Sequence, residues 1–368
     1  MTTFPPVLHQ LTDGAAVGDA ITDQALAIRS WLREWGIRSE LYAAHIHPEL
    51  TREVRPVATY RPQSADEVVI YHHSIGSPVA EMLHARRQPL LLIYHNVTPP
   101  EFFSQVDPAL ANQLREGRAQ LAALRTQTCL ALGDSPFNTQ ELVELGFPHT
   151  GVLPIVLDES RYDWPSSPEL VSRYRGQGPL LLFVGRLTPN KRQEDLLKLL
   201  YFYRRIEPDA RLILVGSPWA PAYARWLEDL ARSLGLDGHV DITGHVSQQE
   251  MVTYYRLAHL YVSMSEHEGF GKPLVESMYF RLPVLAYAAA SVPVTLGGAG
   301  VLFHRKDYEV LAEVVDLLVK DETLRQRIMA RQQERVQHFL PSQVKIALQR
   351  YLAQLQTLTP QPTSTQTP

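Results

Sequence analysis

Short runs of apolar and β-branched residues alternate with stretches of helical periodicity along this chain, and that alternation restricts the fold more than any other feature. Such runs, bounded by turn formers, read as strands buried on both faces, as in parallel sheets. Parallel neighbours need crossover connections, which helices supply. The first half predicts strands at 7–11, 39–43, 68–72, 90–94, 128–132 and 151–154. The second predicts them at 180–184, 212–215, 240–243, 260–263, 284–286 and 300–303. Residues 158–178, rich in Pro, Ser and Gly, read as a hinge between two domains.

Composition narrows the class. A net charge of −4 gives no whole-chain pull toward nucleic acid, although local basic patches suit an anionic lipid surface. The single cysteine, Cys129, excludes an internal disulfide and fits a reducing compartment. The N-terminus lacks the basic and apolar regions of a signal peptide, and no apolar run reaches the length of a membrane span. The expected location is the cytoplasm, with peripheral association at the inner face of the membrane as the alternative.

Two loops in the second half carry the chemistry. Glu268-Gly269-Phe270-Gly271-Lys272-Pro273-Leu274-Val275-Glu276 follows the strand-like run 260–265. The glycines allow tight turning and close approach of the backbone to a ligand. Pro273 reads as the first residue of a helix whose positive end faces the loop, an anion site with Glu276 in the first turn. The competing reading is that Glu276 only complements the helix dipole. The second loop, Gly185-Arg186-Leu187-Thr188-Pro189-Asn190-Lys191, leaves the run 180–184 and enters another helical pattern. Arg186, leaving the strand's carboxyl end, can grip phosphate oxygens in pairs, and Lys191, at the helix entrance, adds a mobile charge.

Gly185-Arg186-Leu187-x-x-x-Lys191 followed by Glu268-x7-Glu276 resembles the donor half of the retaining GT-B glycosyltransferases of family four, the group 1 glycosyltransferases. The resemblance runs from about residue 180 to 339. It takes in Leu212–Gly216, Thr243-Gly244 followed by Val246–Met251, and Leu282–Ala286. It implies an α/β GT-B fold: two doubly wound Rossmann-like domains facing across a cleft, with a last helix crossing back to the first. The expected organisation is an acceptor domain over 1–160, a nucleotide-sugar donor domain over 161–340, a crossover helix over 341–356 and a disordered tail over 357–368.

The same resemblance implies roles. Glu276 holds the ribose hydroxyls, Glu268 contacts the transferred sugar, and Arg186 and Lys191 stabilise the diphosphate leaving group. His245 and Val246 lie in the loop that meets the base. Lys272 departs from the apolar residue often found there and adds a phosphate contact. In the first half, Gly18 and Asp19 follow the first strand, where the family usually has a Gly-Gly pair. Asp19 either caps the next helix, the preferred reading, or bonds a sugar hydroxyl. His95, after the strand at 90–94, is expected at the cleft beside the donor sugar, a structural histidine being the alternative. His72 and His73 are weaker candidates for acceptor contacts. The segment 291–296 departs from a more common acidic loop, which leaves the acceptor open.

The activity implied is transfer of a hexose from a UDP- or GDP-linked donor to a saccharide or lipid-linked hydroxyl, in surface polysaccharide or glycolipid synthesis. The chain lacks an Asp-x-Asp pair, so neither metal nor cofactor is expected. Ser247 in place of a carboxylate weighs mildly toward uracil. A sugar-nucleotide epimerase or hydrolase on the same fold, or a non-catalytic nucleotide-sugar binding subunit, are the competing readings.

Overall fold

In a computed structural model that describes residues 5–64 and 67–358, the chain forms two compact units. The first comprises residues up to 156 together with those from 341 onward; the second is 157–340.

Unit 1 is built on seven strands: β1 (Gln10–Ala15), β2 (Leu41–Ile46), β3 (Val54–Pro56), β4 (Val69–His73), β5 (Leu90–Tyr94), β6 (Thr128–Gly133) and β7 (Thr150–Val152). They pair in parallel in the order β3-β2-β1-β4-β5-β6-β7. The order reverses between β1 and β4, the kind of switch point where open α/β sheets bind ligands. β4 and β5 are buried at every residue; β5 is an unbroken apolar run, whereas β4 ends in His72 and His73. The first strand begins three residues later than expected and runs on through Thr12-Asp13-Gly14. β3, with Arg55 exposed and Pro56 at its end, lies at the sheet edge, the position that tolerates proline.

The last helix (Pro341–Leu358) belongs to unit 1 and extends two residues beyond its expected end, so Thr357 and Leu358 are helical. The remainder of the expected tail, 359–368, lies outside the described residues. Val344, Leu348, Leu352 and Leu355 recur on one face and are buried among Leu8, Ile28, Leu91 and Leu130. Tyr351 Oη accepts from Val152 N (2.9 Å) and donates to Val152 O (3.2 Å), so the hydroxyl pairs the backbone of β7 at the sheet edge.

Unit 2 carries six parallel strands: β8 (Leu180–Val184), β9 (Arg211–Val215), β10 (Val240–Gly244), β11 (Leu260–Ser263), β12 (Val284–Tyr287) and β13 (Val301–Phe303). Their order is β10-β9-β8-β11-β12-β13, with the reversal between β8 and β11. Residues 158–178, expected to be a hinge, are folded into this unit. Glu159–Tyr162 makes a 3₁₀ turn, Pro168–Tyr174 a helix, and Ser167 N donates to Thr253 Oγ1 at 2.8 Å. Pro168 starts a helix rather than loosening the chain, following Ser167, whose hydroxyl caps that helix; Pro165 lies in the coil before it. No helix among the described residues is long and apolar enough to cross a membrane.

Candidate active site

The two motif loops of unit 2 leave β8 and β11, the strands that flank its switch point. Chain direction alone puts them side by side, and short bonds join them. Asn190 Nδ2 donates to His267 O (3.2 Å), and Glu266 N donates to Asn190 O (2.9 Å). Lys191 closes the 3₁₀ turn Pro189–Lys191; its Nζ pairs with Glu268 Oε2 and lies 3.4 Å from His267 O. Both members of that pair are mostly withdrawn from water, with side chains 18% and 15% exposed. Arg186 is exposed, and among the described residues its guanidinium makes no hydrogen bond or ion pair.

The backbone at Gly185 is held from beside. Leu187 bridges Pro218, and a Cβ on Gly216 would stand 2.1 Å from Gly185 O. Gly216 also sits at φ +145°, which side chains avoid. Gly216→Ala must therefore push Gly185 and Arg186 aside. The expected cost is about 1–3 kcal/mol of stability, measured by denaturant unfolding, together with weakened binding at the Arg186 loop. Unchanged stability would contradict this packing.

The glycine loop after β11 is pinned by the segment that departs from the expected acidic pattern. Ser291 Oγ donates to Glu268 O (2.9 Å) and Thr295 Oγ1 to Phe270 O (2.6 Å). Phe270 is buried, edge-on to Phe339. Gly271, at φ +82°, precedes the helix Lys272–Tyr279, whose N-terminus has no side-chain cap. The helix begins one residue before the expected start, so Pro273 is its second residue and Glu276 lies in the second turn, not the first. Glu276 is therefore more than a dipole partner at the helix end. It is 9% exposed. Tyr162 Oη donates to its Oε1 (2.7 Å), Tyr255 Oη to its Oε2 (2.6 Å), and Lys272 Nζ lies 3.9 Å from Oε1. Burial, reinforced by the Glu276 charge, pushes the Tyr255 phenol well above its ordinary value, which keeps it a donor.

Behind Lys191 lies an ionic support that the sequence did not single out. Lys306 Nζ sits 2.8 Å from both Asp195 Oδ2 and Glu266 Oε1, and Arg192 Nη2 lies 2.7 Å from Glu266 Oε2. Burial pushes the Asp195 carboxyl up, but hydrogen bonds from Lys306, Tyr308 and Lys198 outweigh it and leave it below the usual range. This holds Arg192, at φ +54°, and with it the turn that presents Lys191. His245 is exposed and Val246 half-buried just after β10, two strands from β8; no hydrogen bond or ion pair joins His245 to Lys191, Glu268 or Glu276. Ser247, beside them, is spent in a reciprocal cap with Glu250.

The remaining candidates belong to unit 1. Asp19 caps the helix Ala20–Glu34, its Oδ2 accepting from Thr22 N and Thr22 Oγ1, each at 2.9 Å; Gly18, at φ +77°, precedes it. The His95 side chain, expected beside the donor sugar, is 1% exposed. Gln10 Nε2 donates to Ala25 O, so its Oε1 must accept from His72 Nε2 (2.9 Å). His72 Nδ1 then accepts from His95 Nε2 (3.0 Å), which leaves His95 Nδ1 facing Asp134 Oδ2 at 3.4 Å, an ion-pair separation rather than a formed hydrogen bond. Burial, and then the neighbouring His95, holds His72 well below its ordinary value. His73 is a core residue, bonded to Gly117 O and pushed down to about 4 by burial. Neither His72 nor His73 is placed for the acceptor contact expected of it, since both are buried.

A match to a known family falls in the same half of the chain. Residues 171–335 match the family described as glycosyl transferases group 1. A GDP-mannose-dependent α-(1-6)-phosphatidylinositol monomannoside mannosyltransferase of Mycobacterium tuberculosis is 33% identical over 144 residues, which is 39% of this chain and 36% of that relative. An O-antigen chain mannosyltransferase B of Escherichia coli is 26% identical over 55% of this chain and 54% of its own. The chain thus spans between about a third and about a half of these relatives' length. The fold match is wider. Anabaena HepE, solved in complex with UDP and glucose, superposes with a TM-score of 0.74 over 95% of this chain and 100% of its own, at 19% identity. WaaG, involved in lipopolysaccharide biosynthesis, superposes at 0.68 over 92% and 99%, at 17% identity. At such identities these matches speak for architecture, which is GT-B.

Proposed function

We propose that the chain, whose residues 171–335 match the group 1 glycosyl transferases, transfers a hexose from a nucleotide-diphosphate sugar to a hydroxyl of a saccharide or lipid-linked acceptor. The observation that carries this reading is the meeting of Lys191 with Glu268 at the β8/β11 switch point, beside the unpartnered Arg186. Two cations and an open helix N-terminus at one strand edge suit a diphosphate, whose negative charge grows as the glycosidic bond breaks. In this reading a bound diphosphate draws Lys191 away from Glu268, releasing the carboxylate toward the sugar. The reaction retains anomeric configuration, proceeds without metal, and uses no enzymic nucleophile. Unit 2 is the donor domain and unit 1 the acceptor domain. Names of relatives favour GDP-mannose as donor, whereas the HepE complexes favour UDP. The acceptor reading, a sugar on a lipid carrier, draws on the same names, and with it go a cytoplasmic location and peripheral membrane contact.

Thermal unfolding with UDP, GDP and ADP, each with and without magnesium, tests the reading. Ligand at a hundred times its dissociation constant adds about 2.7 kcal/mol to the native state. One nucleotide is expected to raise the melting temperature equally with and without magnesium. No shift with any of the three would remove the diphosphate site.

A further inference from the structure

Resting on that reading of Glu276 as a nucleotide contact, we propose that Tyr162 and Tyr255 are positioning residues that set the Glu276 carboxylate to receive a vicinal diol. An ionised carboxylate offers about four acceptor positions, two on each oxygen. Tyr162 fills one on Oε1 and Tyr255 one on Oε2. Each oxygen keeps one position, so the group can accept two donors side by side. Two adjacent hydroxyls match that spacing; one hydroxyl, or the isolated donor of a deoxyribose, does not.

The two tyrosines are themselves fixed. The Tyr255 ring lies flat against Phe280, centroids 5.0 Å apart and planes 7° from parallel, and Tyr162 meets the same ring edge-on at 5.5 Å. Both tyrosines are almost wholly buried while the Glu276 side chain keeps 11% exposure. The hydroxyls thus brace the carboxylate from inside the protein and leave its outer face for a ligand. They reach it from distant stretches: Tyr255 from the helix Gln248–Leu257, Tyr162 from the turn that follows the crossing into unit 2. A charge-assisted hydrogen bond on each oxygen fixes the rotation of the carboxylate, which a diol would otherwise have to order on binding.

The test compares Tyr255→Phe and Tyr162→Phe with wild type in titrations with UDP and GDP and with the 2′,3′-dideoxy forms of each. Phenylalanine keeps the stacking on Phe280, and Tyr162→Phe supplies the readout should the more buried Tyr255→Phe fold poorly. Each variant is expected to bind the preferred ribonucleotide about tenfold more weakly, while its affinity for the dideoxy form stays that of wild type. The ribo-to-dideoxy preference should therefore shrink. An unchanged preference in both variants, or an equal loss for ribo and dideoxy forms, overturns the positioning role and leaves the nucleotide site standing. Failure of wild type to bind any of the four ligands overturns the diphosphate reading itself.

Discussion

Glu268→Ala is expected to lower glycosyl transfer by about a hundredfold or more while binding free nucleoside diphosphate at least as tightly as wild type. The two halves of that result have one origin. Glu268 holds Lys191 through the ion pair between the loops after β8 and β11, and in the proposed reading it competes with phosphate for that ammonium. Deleting the carboxylate frees Lys191 for the leaving group but removes the group proposed to face the sugar. Lys191→Ala should behave differently, losing nucleotide affinity and rate together, because the proposed diphosphate contact serves both ground state and transition state. Each variant leaves one charge without its partner, and water reaches both side chains, so the stability loss should stay at about 3 kcal/mol or below. Steady-state transfer rates and calorimetric nucleotide titrations separate the cases. Wild-type turnover by Glu268→Ala would end the assignment; equal loss of nucleotide affinity in both variants would show that the carboxylate does not compete with phosphate.

Ending the chain at Leu340 is expected to leave unit 1 without a cooperative native state while unit 2 stays folded. The truncation strips Val344, Leu348, Leu352 and Leu355 from the core they share with Leu91 and Leu130. Burial of each such side chain stabilises by about 1.5–3 kcal/mol, so the four together contribute about 6–12 kcal/mol. That is comparable with the whole stability of an ordinary domain, about 5–15 kcal/mol. The exposed face of Leu8, Ile28 and Ile93 would also favour aggregation. Hydrogen exchange resolved by peptide is the measurement: protection should vanish over β4–β6 and persist over β8–β12. Full protection in unit 1 would mean that the last helix is only an appendage.

How far the sequence spoke depended on how local each signal was. The runs Leu90–Tyr94, Leu180–Val184 and Leu260–Ser263 were legible to the residue, because strands buried on both faces read as near-continuous apolar runs. β1 was misplaced because its second half, Thr12-Asp13-Gly14, is polar where it approaches the carboxyl edge. β3 was missed because its three residues include a proline and an exposed arginine. The composition of 158–178 suggested looseness, yet Pro168 begins a helix and the stretch is folded into unit 2.

The site followed the same rule. Arg186, Lys191, Glu268 and Glu276 stand out because glycine and proline mark the loops that carry them. Their partners do not stand out. Tyr162 lies 114 residues before Glu276, and Lys306 lies 111 residues after Asp195. The environment of His95 depends on Gln10, His72 and Asp134, which only the parallel order of β1, β4, β5 and β6 brings together. Periodicity reports what a residue type tolerates, whereas pairing across a sheet requires the topology.

The discontinuity of unit 1 also sets a schedule for biosynthesis. A chain emerging from the ribosome presents the seven strands of unit 1 first, with the place of the last helix unfilled. All of 157–340 then follows before residues 344–355 become available. The second unit can complete its own core while the first waits with an apolar face uncovered, an interval of about ten to forty seconds at typical bacterial and eukaryotic elongation rates. The earlier half of the gene product thus matures last, and the waiting sheet is where holding chaperones would be needed.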